Sequence, residues 1–368
     1  MSTSDIYIGL MSGTSLDGID VAAIDFSQYL SIVATHSETI PDTLKKEILQ
    51  LTQPNPDEID LMGKVDIELG KLFAKAVNTL ISQTKLSKTQ IQAIGSHGQT
   101  IRHRPEFGFT LQIGDANIIA EHTGITTVAD FRRRDMAASG QGAPLVPAFH
   151  KAVLHNPAKD RILLNIGGMA NITYLPADNS KITVGFDTGP GNVLMDAWIH
   201  KHKALSYDHN GKWAQSGNCD IKLLEKLLSL PYFHEAPPKS TGREQFHLDW
   251  LTHQLEGFNL SPEDTQATLL ELTAASIVSA IQSHVASESF ELLVCGGGSR
   301  NNALMQRLKQ LLPYNDVSTT DKVGINADWM EAAAFAWLAK RCLEGKTGNN
   351  TDVTGADGER ILGAIYQA

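Results

Sequence analysis

A repeat constrains this chain more than any other feature. A short apolar strand, a small glycine-bearing turn and a second strand occur near residue 12 and again near residue 167. In the first copy, Ile6–Leu10 and residues 20–26 flank the turn Ser12-Gly13-Thr14-Ser15-Leu16-Asp17-Gly18. In the second, RILLNI over 161–166 runs into Gly167-Gly168 and then NITYL. Long helical patterns separate such strands, and that alternation predicts an α/β fold. Ile59, Met62, Leu69, Leu72, Phe73, Val77, Leu80 and Ile81 recur at helical spacing, so 57–83 reads as one amphipathic helix. Ile91–Gly95 is a strand ending at SHGQT, and residues 110–130 give two or three short strands around the Gly114-Asp115 turn.

The second half restarts the scheme. ITVGF runs into DTGPGN and a helix from near Val193, and Ser261, Pro262 and Asp264 open a helix over 262–286. LLVCGGG, a helix from about Asn302 and an Asp328/Glu331 capping box before WMEAAAFAWLAKRC complete it. Two homologous halves predict two lobes facing one central cleft: an N-terminal lobe over 1–140 and a C-terminal lobe over 141–368. A polar, turn-rich insert at about 205–260 reads as a loop or a small subdomain between the lobes, and a loop of that length is more often functional than not.

Composition narrows the partners. The 368 residues are 42% hydrophobic and 20% charged, enough to bury a large core. Against 31 Lys and Arg stand 41 Asp and Glu, a net charge of −10, which argues against nucleic acid and anionic membranes as partners. There is no apolar run of about 18 residues and no basic, apolar leader, so a cytoplasmic protein is expected. Cys219, Cys295 and Cys342 are scattered and odd in number, which fits a reducing compartment rather than a zinc or disulfide framework. There, the glycosylation matches at Asn171-Ile172-Thr173 and Asn349-Asn350-Thr351 carry no meaning.

Glycine turns carry the chemistry. Glu344-Gly345-Lys346-Thr347 ends like a P-loop, but Lys340 stands where that motif needs glycine. Gly140-x-Gly142, Gly189-x-Gly191 and Gly296-x-Gly298 each lack the third glycine of a dinucleotide fingerprint. The turn at 12–18 is a better phosphate cradle: small residues let backbone N–H groups converge, and the hydroxyls of Ser12, Thr14 and Ser15 add donors. Asp17 and Asp20 beside it suit Mg²⁺ and so a metal–nucleotide site; a polar hairpin turn is the plain alternative. Gly167, Gly168 and Asn171 repeat the logic, and Gly296, Gly297 and Gly298 could admit adenosine, with Asn301 or Asn302 supplying hydrogen bonds.

Asp187, expected at the carboxyl end of its strand, is a candidate general base and stands too early to cap the following helix. His97 and Gln99 suit sugar hydroxyls, while most of the 13 histidines read as surface or core residues. Asp130 and the arginines after it, Arg132 and Arg134 among them, are candidates for substrate, an arginine pairing a carboxylate bidentately. A solvated basic face is the alternative for at least one of Arg132, Arg133 and Arg134.

The stretch from Ile8 to Asp20 resembles the opening signature of the anhydro-N-acetylmuramic acid kinases. GSHGQTIRH, TLQIGD, ADFRRRD, GQGAPLVPAFH, LNIGGMANIT, FDTGPGN, VCGGGSRN and DWMEAAAFAWLA follow in that family's order, over residues 8 to about 339. The resemblance implies a two-lobed actin/hexokinase-like, ribonuclease H-like ATPase fold. It also implies a cytoplasmic, generally homodimeric enzyme that uses ATP and Mg²⁺. Such an enzyme converts 1,6-anhydro-N-acetylmuramic acid to N-acetylmuramic acid 6-phosphate, with water opening the anhydro ring, in cell-wall sugar recycling. It places the ATP loop at Gly13, Thr14, Ser15, Leu16, Asp17, Gly18, Ile19 and Asp20, and the catalytic aspartate at Asp187. Within that scheme Glu331 is a candidate for orienting Mg²⁺-bound water, and one of Arg132–Arg134 for the lactyl carboxylate. An actin-like ATPase and an ordinary sugar kinase are the competing expectations.

Overall fold

The apolar runs become strands. In a computed structural model, which describes residues 5–13, 16, 18–54 and 56–368, the chain forms two units, Met1–Val153 with Trp329–Ala368, and Leu154–Asp328. Unit 1 contains β1 Ile6–Ser12, β2 Ile19–Asp25, β3 Ser31–Glu38, β4 Ile91–Ser96, β5 Gln99–Arg104, β6 Phe109–Ile113 and β7 Thr127–Ala129. Unit 2 contains β8 Asp160–Ile166, β9 Met169–Leu175, β10 Val184–Pro190, β11 Phe290–Cys295 and β12 Asp316–Thr319, and the chain ends in unit 1 with β13 Ala364–Tyr366. The expected division at 140 therefore differs from the one observed, because the segment from Trp329 onward returns to the first unit.

The repeat extends well beyond the hairpins. Unit 1 orders its main sheet β3-β2-β1-β4-β7-β13, and unit 2 orders its sheet β10-β9-β8-β11-β12. In each, the first three strands in sequence are an antiparallel meander, and the next two add in parallel beside the first. That order, 3-2-1-4-5, is the ribonuclease H-like sheet, and a chain carrying it twice has the actin/hexokinase-like fold. Each sheet packs on long helices. Ile8, Leu10 and Val21 meet Leu69, Phe73 and Val77 of helix Glu58–Ser82 in one core; Ile172, Leu292 and Val294 share the other with Ile277 and Ile281 of helix Pro262–His284. Each such side chain, fully buried, contributes about 1.5–3 kcal/mol.

The return of the chain has a local cause. A Cβ on Gly9 would lie 1.7 Å from the Ala332 carbonyl oxygen, and one on Gly95 would lie 2.0 Å from that of Phe335. Helix Met330–Leu343 thus lies backbone against backbone on β1 and β4, an approach that glycine on the sheet permits. The small residues Ala332, Ala333, Ala336 and Ala339 keep the helix surface low.

Four local expectations need correction. Residues 110–130 hold helix Ala116–Thr123 between β6 and β7, because the Asp115 carboxylate N-caps it by accepting the Asn117 amide at 2.8 Å. The Asp328/Glu331 capping box is not formed: Trp329 is the N-cap residue without a side-chain bond, and Asp328 instead pairs with Arg300. Strand β3 and helix Asp42–Leu51 lay outside the expected elements; every second residue of β3 is exposed, which weakens its apolar signal. Of the two readings of the 205–260 insert the loop fails: it carries helices Ile221–Leu228 and Leu248–Gln254, and it buries Trp213, Leu223, Tyr232, Phe246 and Leu251 in the core of unit 2 rather than lying between lobes.

Candidate active site

In unit 1 the expected sugar residues meet at the ends of β1, β4 and β5. Ser12 donates its hydroxyl to Gln99 Oε1 at 2.6 Å, so that hydroxyl serves a side chain and not the expected phosphate. Arg132 donates from Nε and Nη2 to His97 Nε2, at 3.1 and 2.8 Å, and from Nη1 to the Gly142 carbonyl at 2.9 Å. A guanidinium has no acceptor, so His97 must carry its proton on Nδ1, which donates to the Gly98 carbonyl at 2.8 Å. Burial first, and the Arg132 charge second, push the His97 imidazole down to about 3, and it stays neutral.

Glu331, in the first turn of helix Met330–Leu343, has its carboxyl raised by burial and then by Asp20, with Arg132 opposing. Asp20 accepts the Ser37 hydroxyl at 3.1 Å. The other two substrate candidates stand apart. Asp130 is held by Arg133 Nε at 2.8 Å, and Arg134 is exposed on the short helix Arg133–Met136. Of the proposed ATP loop, Thr14, Ser15 and Asp17 lie outside the described residues. The Gly13 carbonyl closes a turn with the Leu16 amide at 3.2 Å, and the side chains of Leu16 and Ile19 enter the core. Gly18 packs closely on β3.

A hub that sequence inspection missed supports Arg132. Asp135 is fully buried and accepts from the Gly142 amide, Asn349 Nδ2 and the Thr354 hydroxyl, each at 2.8 Å. The Gln141 amide also donates to the Thr354 carbonyl at 2.8 Å. The C-terminal segment thereby fixes the loop whose Gly142 carbonyl holds Arg132. Asn349, dismissed as a meaningless glycosylation match, is one of the hub's donors; no local pattern marks the pairing.

In unit 2 a polar row crosses the sheet. Asn165, Asn171 and Asp187 stand opposite one another on β8, β9 and β10, so their side chains share one face, and all three are half-buried. Asp187 lies within β10 at a bulge before Gly189, rather than at the strand's end. The insert holds it. Thr241 N donates to Asp187 Oδ2 at 3.0 Å, the Asp187 amide donates to the Lys239 carbonyl at 3.2 Å, and the Tyr232 hydroxyl donates to the Asp187 carbonyl at 2.6 Å. Burial raises the Asp187 carboxyl to about 6; the Thr241 amide opposes that rise and Glu244 adds to it.

Beside this row, backbone meets backbone. Asn192 N donates to the Gly167 carbonyl at 2.9 Å, and Gly191 N and Val193 N donate to that of Gly168 at 2.8 and 3.1 Å. The β8–β9 turn therefore docks on the start of helix Val193–Lys203. Gly296, at φ +78°, and Gly298 crowd Asn165 and Ile166 of β8, whereas Gly168 has nothing within 4 Å of a modest Cβ and Gly297 only Asn192 at 3.9 Å. Asn301 spends its side chain on the helix that follows, accepting the Leu304 amide at 3.1 Å. The structure thus brings Asn171, Asp187, Gly167, Gly168 and the 296–298 turn into one region.

Comparison with known proteins is consistent over the whole length. The pattern of the family described as anhydro-N-acetylmuramic acid kinase matches residues 5–368. A protein of that name from Coxiella burnetii is 54% identical over 362 residues, covering 98% of this chain and 97% of the relative. One from Shewanella oneidensis is 55% identical over 366 residues, covering 98% of each. One from Pseudomonas fluorescens is 53% identical over 364 residues, covering 98% of this chain and 99% of the relative. Among solved structures, an activator of 2-hydroxyisocaproyl-CoA dehydratase from Clostridium difficile aligns with TM-score 0.45 and 11% identity, covering 90% of this chain and 92% of that one. A ROK family glucokinase from Streptomyces griseus aligns with TM-score 0.39 and 12% identity, covering 91% and 99%.

Proposed function

The chain belongs to the anhydro-N-acetylmuramic acid kinase family, and from that premise we infer that it phosphorylates 1,6-anhydro-N-acetylmuramic acid with ATP while water opens the anhydro ring. Water gives a proton to the Asp187 carboxylate and its oxygen to C1 of the sugar. The bond from C1 to O6 breaks, O6 takes the γ-phosphoryl group, and the products are N-acetylmuramic acid 6-phosphate and ADP. The observation that carries this is Asp187 itself: a half-buried carboxylate, anchored through one oxygen by Thr241 N, with its proton affinity raised to about 6. Such a group is ionised near neutral pH and still basic enough to accept a proton in the transition state.

The remaining roles belong to the same proposal. Gly13, Thr14, Ser15, Leu16, Asp17, Gly18, Ile19 and Asp20 form the ATP loop. Gly167, Gly168 and Asn171 attend the phosphates, and Gly296, Gly297 and Gly298 the adenosine. Arg132, rather than Arg134, pairs the lactyl carboxylate, since its three observed bonds leave guanidinium donors over. Both ring nitrogens of His97 are engaged, so His97 acts on the sugar through Arg132. Gln99 keeps an N–H for a hydroxyl. Glu331 and Asp20 fit Mg²⁺: two neighbouring hard-oxygen donors in a buried setting suit that cation with its water shell, Glu331 holding it through water. When bound, the ion offsets charge on the phosphates. A cytoplasmic homodimer completes the proposal; Cys219, Cys295 and Cys342 are free thiols, and among the described residues no helix is long and apolar enough to cross a membrane.

The test is turnover with ATP, Mg²⁺ and the anhydro sugar in H₂¹⁸O. One ¹⁸O at C1 of the phosphosugar is expected. Phosphorylation without label would mark an ordinary sugar kinase, and sugar-independent ATP hydrolysis an ATPase of another kind.

A further inference from the structure

Strand β10 is the edge of its sheet, so one row of its backbone groups has no neighbouring strand. Asp187 turns both its amide and its carbonyl to that open side, where the Lys239 carbonyl and the Tyr232 hydroxyl receive them. The same segment reaches round to the side chain, placing Thr241 N on Oδ2. Three contacts from one stretch of the insert thus hold one residue.

That stretch is itself anchored. Tyr232 and Phe246 are buried with ring centroids 5.8 Å apart, and Lys239 Nζ donates to the Tyr232 carbonyl at 2.9 Å. The Thr241 hydroxyl donates to Gln245 Oε1 at 2.7 Å, and the Gly242 carbonyl accepts the amides of Gln245 and Phe246 at 3.2 and 3.0 Å. We propose that Tyr232–Phe246 is the positioning arm of Asp187, in which the Thr241 amide occupies Oδ2 so that Oδ1 receives the proton from water. This deepens the assignment of Asp187 as the base and rests on it.

Three charged or titratable groups face Asp187 from the arm. Tyr232 is held protonated by burial and by Asp187, Lys239 has its ammonium disfavoured by burial, and Glu244 opposes ionisation of Asp187. From helix Pro262–His284, His284 packs edge-on against the neighbouring Phe186 at 5.2 Å. None of these replaces the Thr241 amide as a donor to the carboxylate.

The experiment is the pH dependence of kcat/KM for the unaltered protein, Thr241→Pro, Thr241→Val and Asp187→Asn. Thr241→Pro deletes the amide hydrogen, and the ionised carboxylate loses a donor. The acid limb should then move to higher pH by about one unit, with ATP affinity unchanged. Thr241→Val cuts the bond to Gln245 that orients the amide and should move the limb the same way by less. If Thr241→Pro does not fold, Thr241→Val decides. An acid limb that stays in place in the folded variant overturns the positioning arm, provided that Asp187→Asn is inactive. Full activity of Asp187→Asn would instead overturn the base assignment on which the arm rests.

Discussion

At the ends of β1 and β4 in unit 1, polar groups are held by other side chains: Ser12 on Gln99, Arg132 on His97, and Asp135 on Asn349 and Thr354. At the matching ends of β8 and β11 in unit 2, carbonyls of Gly167 and Gly168 hold the start of a helix, and glycines 296 and 298 press on β8. There the Asp187 carboxylate is held by the Thr241 amide, and the Asp187 backbone by the Tyr232 hydroxyl and the Lys239 carbonyl, all from an insert that unit 1 lacks. The strand order is shared, so the difference lies in what was placed on it. A side-chain network is broken by deleting one partner and responds to pH; a backbone junction is broken by adding a single methyl group.

The largest effect should come from the one side chain on which unit 2 depends. Asp187→Asn should lower kcat by about 10²–10⁴ while ATP binding survives, as read by steady-state kinetics and calorimetry. Retention of turnover would remove Asp187, and with it the insert that holds it, from the chemistry.

Next, Asp135→Ala strips unit 1 of its hub, leaving the Gly142 amide, Asn349 and Thr354 buried without their acceptor. A loss of about 3 kcal/mol in urea unfolding is expected, together with weaker sugar binding through Arg132. A loss below about 0.5 kcal/mol would show that the C-terminal segment does not depend on this pin.

Two buried histidines of unit 1 and Asp187 of unit 2 should also differ in the sign of their pH response. His97 and His150 of unit 1 are pushed down to about 3 by burial, against 6.5 when unfolded. The unfolded chain therefore binds more protons between those values, and stability is lost as pH falls below 6.5, by about 1.4 kcal/mol per pH unit for each histidine. Asp187, raised from 3.8 to about 6, acts oppositely: the folded state takes up its proton first, so stability contributed by the neutral acid returns as pH falls through 6. Urea midpoints at pH 7.5 and 5.0 should therefore fall more steeply for Asp187→Asn than for the unaltered chain. Parallel slopes would contradict the opposite signs.

The smallest effects separate two glycines of unit 2. A Cβ at Gly191 would stand 2.4 Å from the Gly167 carbonyl oxygen, so Gly191→Ala should cost about 1–3 kcal/mol. Gly168→Ala meets nothing within 4 Å and should leave stability within about 0.5 kcal/mol. Any loss of ATP affinity in Gly168→Ala would then report on the ligand and not on the fold.

Much of the frame was legible residue by residue. Helix Glu58–Ser82 carries its apolar stripe openly, and Ser261 with Pro262 announces helix Pro262–His284, whose Asp264 amide does bond Ser261 Oγ at 3.1 Å. Both glycine hairpins were also readable, and so was a strand near Asp187, though not the place of Asp187 inside that strand at a bulge. The insert was not, because Trp213, Tyr232, Phe246 and Leu251 are scattered among polar residues without a period. Nor was the choice among Arg132, Arg133 and Arg134. The three are alike in type and adjacent, and only their surroundings separate a half-buried donor to His97 from a partner of Asp130 and a solvated side chain.

By itself the amino-acid order determined most of the strands, the long helices, the repeated hairpin and the kind of chemistry that its glycines and carboxylates could support. These depend on residues a few positions apart, whose spacing, caps and turn preferences act before any distant contact forms. The tertiary structure alone decided which polar groups find one another, as Asp135 and Asn349 do across 214 positions, and which oxygen of Asp187 is already occupied. A buried polar group gains from a partner only when packing brings the two within hydrogen-bond reach, and no local pattern records that distance.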